Sequence, residues 1–170
     1  MNFEPQYEYR TGIGTDIHRL VPDRPLFLGG VLVPFELGLL AHSDGDVVIH
    51  AVIDSILGAT AMGDIGTLFP DNDPAYKNID SKHLLSLVHE KIEEDKWQVV
   101  NVDIVITAEQ PKLGQYKAQM KRSIASLLGM DFANVNVKAK TNEGMGEIGR
   151  VEAISAMAIA LMRKRIKRSL

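Results

Sequence analysis

The sequence predicts a single domain of the α+β class, or a mixed α/β domain with one sheet. Three observations carry this reading. The chain is 170 residues long, about one domain's worth. Segments with apolar residues at period two are interspersed with segments at helical spacing. No repeat, low-complexity tract or Ser/Gly-rich linker divides them. With 45% hydrophobic and 24% charged residues, the chain can bury a core without covalent staples, which excludes disordered and collagen-like classes.

Taken in order, the opening MNFEPQYEYR is polar, acidic and aromatic. It has neither the basic and apolar regions of a secretory signal nor the make-up of a transit peptide. Residues 1–8 are therefore expected to be an extension to a domain at 9–170, and the cytoplasm is the expected compartment. Residues 9–17 predict a strand, with Ile17 turned into the core. Residues 26–35, LFLGGVLVPF, predict a hairpin about Gly29-Gly30. Residues 44–62 predict a helix, since Val47, Val48, Ala51, Val52, Ile56 and Leu57 recur at helical spacing. Ser43 is placed to cap it, with Asp46 in its first turn. Residues 63–78, GDIGTLFPDNDPAYKN, form a long polar loop, and loops of this length are more often functional than idle.

A second amphipathic helix is predicted at 81–97, with Leu84, Leu85, Val88 and Ile92 on its core side. Residues 99–107 predict a half-buried strand. A third helix follows at 115–128, with Tyr116, Met120, Ile124 and Leu127 in register and a stop at Gly129. Residues 135–141 predict a strand leading into the glycine-rich turn NEGMGEIG. The Ala/Ile/Met-rich residues 150–168 predict a last helix whose basic end complements the helix dipole.

Charge and residue types narrow the chemistry. The 22 acidic and 19 basic side chains leave a formal charge of −3, without the basic excess of a nucleic-acid or membrane-surface binder. No apolar run approaches the roughly 18 residues of a membrane span. There is no cysteine, so any metal must be held by His, Asp and Glu.

Asp16 and His18 are two apart on a strand and share a face. Asp46, His50 and Asp54 are four apart and form a polar stripe on an apolar helix. Asp16, His18 and His50 together would supply two imidazoles and a carboxylate, the ligand set of an open zinc site. A buried His–Asp hydrogen-bond network without metal fits the same residues. His42 is the remaining histidine of interest, because His83 and His89 lie on a charged, solvated helix.

In the long loop, Asp71 and Asp73 are either functional or Asx-type turn formers. Lys140 and Thr141 at a strand end suit phosphate oxygens, and Glu143 suits a hard divalent ion, against a plain reading as exposed polar residues. Arg150 is an anion-binding candidate or the first turn of a solvated helix.

The blocks GTDIH, PLFLGGVLVPFELGLLAHSDGDVVIHA, GDIGTLFPDNDPAYK, NVDIVITAEQPK and VNVKAKTNEG…GR, in this order, resemble the 2-C-methyl-D-erythritol 2,4-cyclodiphosphate synthases. The resemblance implies an α+β single domain with a mixed four-stranded sheet, helices on one face and a small hairpin, assembled as a homotrimer with active sites between subunits. It implies cyclisation of 4-diphosphocytidyl-2-C-methyl-D-erythritol 2-phosphate with release of CMP. It also implies zinc on Asp16, His18 and His50, and a second divalent cation, magnesium or manganese, on Glu143.

His42 and Thr141 match transition-state stabilisers. Ser43, Asp54, Asp64, Ile65, Gly66, Phe69, Pro70, Asp71, Asn72 and Asp73 match substrate contacts. Ala108, Pro111, Lys112, Lys140 and Asn142 match the cytidine side, and Arg150 matches an anion-binding arginine near the trimer axis. Neither nucleic acid nor membrane is an implied partner. One departure is Glu147, where relatives carry an aromatic residue lining the axial channel; a carboxylate there is expected to weaken binding of isoprenoid diphosphates. Two other classes share the residues: a divalent-metal phosphohydrolase and a trimeric ligand-binding protein.

Overall fold

A five-stranded mixed sheet carries helices on one face in the computed structural model, which describes residues 5–70, 73–76 and 79–166. Its strands are β1 (Tyr7–Pro22), β4 (Leu37–Leu39), β5 (Trp97–Thr107), β6 (Val135–Lys140) and β7 (Ala153–Arg165), in the order β4-β1-β7-β5-β6. Only β5 and β6 run parallel. β1 and β7 are the long central pair, in antiparallel register from Tyr7↔Arg165 to Arg19↔Ala153. The hairpin of β2 (Leu26–Leu28) and β3 (Val31–Val33) turns at Gly29-Gly30, both at positive φ, as the sequence predicts. The helices are α1 (Val47–Thr60), α2 (Ile65–Leu68), α3 (Ser81–Glu94), α4 (Lys117–Leu127) and α5 (Gly146–Gly149).

The α+β class and the one-sided helix layer agree with expectation, and several details do not. The last segment, expected as a helix over 150–168, is strand β7. Its alanines recur at period two: Ala156, Ala158 and Ala160 are buried under the helices while Met157 and Ile159 point the other way. Alanine by itself favours helix, and pairing with both neighbouring strands plus burial at alternate positions overrides that preference. With β7 and the short edge strand β4, the sheet has five strands rather than four.

Ile17 is 50% exposed rather than in the core. Strand alternation puts it opposite Asp16 and His18, and the polar pair occupies the helix-covered face. Strand pairing also begins at Tyr7, two residues earlier than expected.

Two glycines bring α1 against β1. A Cβ on Gly12 would lie 2.1 Å from the Ser55 carbonyl oxygen, and one on Gly14 would lie 2.1 Å from that of Ala51. Only glycine permits this approach, and it seats α1 directly over Asp16 and His18. Asp46, rather than Ser43, caps α1. Its buried carboxylate accepts the amides of Val48 and Ile49 at 3.1 Å, and those of Gly29 and Gly30 at 2.8 and 2.6 Å. One carboxylate thus ties the hairpin turn to the helix start.

Candidate metal centre and substrate cleft

Asp16 and His18 reach inward from β1, and His50 meets them from the first turn of α1. Asp16 Oδ2 lies 2.8 Å from His50 Nδ1 and 3.0 Å from His18 Nε2, and the two nitrogens are 3.3 Å apart. Among the described residues these three form a cluster able to hold a metal ion, with donor atoms all within 4.8 Å of one another. The triangle lets one ion reach all three at zinc–ligand lengths of about 2.0–2.2 Å, and the nitrogen and oxygen donors suit zinc. The residues present fit the implied metal.

Burial works to raise the Asp16 carboxyl, but hydrogen bonds from His18 and His50 and their charge outweigh it, holding it well below the usual carboxylate range. Burial likewise works to lower His50. Its hydrogen bond with Asp16 and the charges of Asp16, Asp46 and Asp44 carry it above its ordinary value.

The trio opens into a cleft of about 580 Å³. His42, Ser43, Asp54, Ile65, Gly66 and Phe69 line it, as do Tyr76, Ile79 and Leu84. His42 is exposed at the rim. Ser43 is buried, its hydroxyl 3.1 Å from His50 Nε2 and accepting the Gly45 amide at 3.2 Å. Asp54 accepts the Ile65 amide at 2.8 Å, joining α1 to α2, and burial pushes its carboxyl up.

The expected loop holds α2 and a 3-10 turn at Pro74–Tyr76. Asp64 caps α2 through the Thr67 amide and hydroxyl, at 2.8 and 2.7 Å. Phe69 is buried edge-on to Tyr76, while Pro70 and Asp73 are exposed. Asp71 and Asn72 lie outside the described residues. The predicted stripe divides: Asp46 turns to the hairpin, and only His50 and Asp54 face the cleft.

A second cluster gathers at the carboxyl ends of β5 and β6. The Ala108 amide donates to the Lys140 carbonyl at 2.9 Å, beyond which a cis peptide joins Gln110 to Pro111. The Thr141 hydroxyl donates to Glu143 Oε1 at 2.6 Å. Glu109 Oε2 accepts the Asn142 and Gly144 amides at 3.2 and 3.3 Å, and its carbonyl takes the Lys112 ammonium at 3.1 Å. Lys140 is exposed, and Arg150 pairs with Glu152 at 2.9 and 3.1 Å.

None of these residues lines the cleft at the metal trio, because β7 and β5 stand between β1 and β6. The residues expected to form one site therefore make two clusters within the chain. Of the other histidines, His83 is exposed, and His89 is half-buried, 3.8 Å from Glu93. Sequence reasoning missed Ser81, whose only signal is a helix start, and flagged the ITAEQPK stretch without singling out Glu109.

Comparison with known proteins places this geometry in a family. The chain is 50% identical over 155 residues to the 2-C-methyl-D-erythritol 2,4-cyclodiphosphate synthase of Enterococcus faecalis, covering 91% of this chain and 99% of that protein. The structure of the bifunctional IspDF from Campylobacter jejuni superposes with a TM-score of 0.90 at 42% identity, covering 94% of this chain; the chain spans 43% of that longer protein. The Plasmodium falciparum IspF structure, a CDP complex, matches with a TM-score of 0.82 at 35% identity, covering 93% of this chain and 97% of that one. Residues 9–163 carry the pattern of the YgbB family, and the chain belongs to that family, the one that holds the 2-C-methyl-D-erythritol 2,4-cyclodiphosphate synthases.

Proposed function

We propose that the chain cyclises 4-diphosphocytidyl-2-C-methyl-D-erythritol 2-phosphate to 2-C-methyl-D-erythritol 2,4-cyclodiphosphate and releases CMP. The observation carrying this reading is the Asp16–His18–His50 trio at the floor of a cleft large enough for a diphosphate. The substrate's 2-phosphate attacks its own β-phosphorus, a new P–O–P link forms, and the bond to CMP breaks. No protein nucleophile is required, in keeping with a chain that has no cysteine.

Asp16, His18 and His50 would hold zinc and Glu143 the second divalent cation, magnesium or manganese; when bound, these ions supply polarisation and charge neutralisation for the diphosphate. His42 and Thr141 stabilise charge at the reacting phosphorus. Ser43, Asp54 and the 64–66 and 69–73 stretches orient the erythritol phosphate. Ala108, Pro111, Lys112, Lys140 and Asn142 receive the cytidine end, and Arg150 serves as the anion-binding arginine. Folding the substrate so that its ends meet makes the attack intramolecular, worth about 7–11 kcal/mol when well aligned.

The working unit in this reading is a homotrimer, the second cluster of one copy completing the cleft of the next. The uncovered face of the sheet supports it: Ile13, Ile17, Met157 and Ile159 are 60%, 50%, 44% and 46% exposed. A contiguous apolar strip of this kind marks an interaction surface. Incubating the chain with substrate, zinc and magnesium and following phosphorus NMR tests the activity. Cyclic diphosphate and CMP in equal amounts are expected, and linear hydrolysis products would instead identify a phosphohydrolase.

A further inference from the structure

Resting on the reading of Asp16, His18 and His50 as metal ligands, we propose that Ser81 and Asp44 are positioning residues that fix which nitrogen of His50 faces the metal. The Asp44 carboxylate accepts the Ser81 amide at 3.0 Å and the Ser81 hydroxyl at 2.5 Å. That commits the only proton on Ser81 Oγ to Asp44. The Ser81 oxygen also lies 2.9 Å from His50 Nε2, and with its proton committed it can only accept there. His50 Nε2 must therefore be the N–H donor. Nδ1, 2.8 Å from Asp16 Oδ2 and 3.3 Å from His18 Nε2, is left to present its lone pair to the ion.

The direction is set by polarity along the chain from carboxylate to hydroxyl to imidazole, in a dry place: Ser81 is 0% and His50 8% exposed. A metal-bound histidine commonly donates its other ring N–H to an acceptor that orients the ring and raises its basicity. Here that acceptor is a hydroxyl sharpened by a carboxylate behind it. Ser43, 3.1 Å from the same Nε2, is the weaker partner, because among the described residues no hydrogen bond from its hydroxyl to a carboxylate polarises it. Ser81 opens α3 directly after the 63–80 segment, so the metal centre is braced from a second helix as well as from α1.

The test compares Ser81→Ala and Ser43→Ala with the unaltered full chain. Zinc affinity is read by competition with a chromophoric chelator, and ligand geometry by the visible absorption of the cobalt(II)-substituted protein. Ser81→Ala is expected to weaken zinc binding about 10–100-fold and to change the cobalt bands, with Ser43→Ala losing clearly less. Wild-type zinc affinity and cobalt bands in Ser81→Ala overturn the inference, even if that variant melts earlier, since the role is then structural only. An equal loss in Ser43→Ala overturns it too. Failure of the unaltered chain itself to bind zinc overturns the metal reading, and the inference with it.

Discussion

Gly14→Ala tests how the site is built. A Cβ there would stand 2.1 Å from the Ala51 carbonyl oxygen, 2.6 Å from the Ser55 nitrogen and 2.8 Å from the Asp54 Cβ, where ordinary contact begins at 3.4 Å. Two of the three obstacles are backbone, so no side-chain rotation relieves them, and α1 must retreat from β1 by roughly 1 Å. Overpacking of this kind costs about 1–3 kcal/mol, and the rigid neighbours place it near the upper end. At about 2–4 °C per kcal/mol for a chain of this size, the melting temperature should fall roughly 6–12 °C.

The same retreat lifts His50, the residue before Ala51, away from Asp16 and His18, lengthens the 2.8 Å separation of Nδ1 and Oδ2, and spoils the placement in which one ion meets all three donors. Turnover should drop about 100-fold, the usual consequence of a 1 Å misplacement, and zinc affinity should fall with it. Calorimetry measures the melting temperature of the purified variant, chelator competition its zinc affinity and phosphorus NMR its turnover. Gly114→Ala is the control, for a Cβ there meets nothing within 4 Å. A Gly14→Ala protein that melts and binds zinc like the unaltered chain would refute the claim that glycine sets the α1–β1 spacing.

The Asp16–His50 pair also predicts a pH dependence. The depressed Asp16 adds stability above its ordinary 3.8 that is lost as pH falls through its lower folded value. The raised His50 adds stability below its ordinary 6.5 that is lost as pH climbs through its higher folded value. The metal-free chain should thus draw on the pair fully between 3.8 and 6.5, while zinc, which must displace the His50 proton, should stabilise increasingly above that window. Melting curves with and without zinc across this range check it, and a pH-independent zinc increment would contradict it. On the uncovered sheet face, Ile159→Asp puts a charge among Ile13, Ile17 and Met157. If this face joins the proposed trimer, light scattering should show single chains for the variant and turnover should be lost with the assembly; a fully active trimer would argue against that interface.

The amino-acid sequence alone determined the parts whose information is local. Period two placed Asp16 and His18 on one side of β1, helical spacing located α1, and Gly29-Gly30 marked the hairpin. Spacing also offered Asp16, His18 and His50 as a candidate ligand set, and family resemblance supplied the reaction. Tertiary structure decided what local pattern leaves ambiguous. The alanine-rich segment at Ala153–Arg165 has the local preference of a helix, and pairing with both β1 and β5 makes it a strand. Alternation requires Ile17 to oppose His18 but does not say which side is covered; that depends on Gly12 and Gly14 admitting α1 over the polar side. The contacts of Ser81 with His50 and with Asp44 join residues 31 and 37 positions apart, and the separation of Thr141 and Glu143 from the Asp16–His18–His50 trio follows from strand order. Both arise from which elements pack against which, and no short stretch of sequence encodes that.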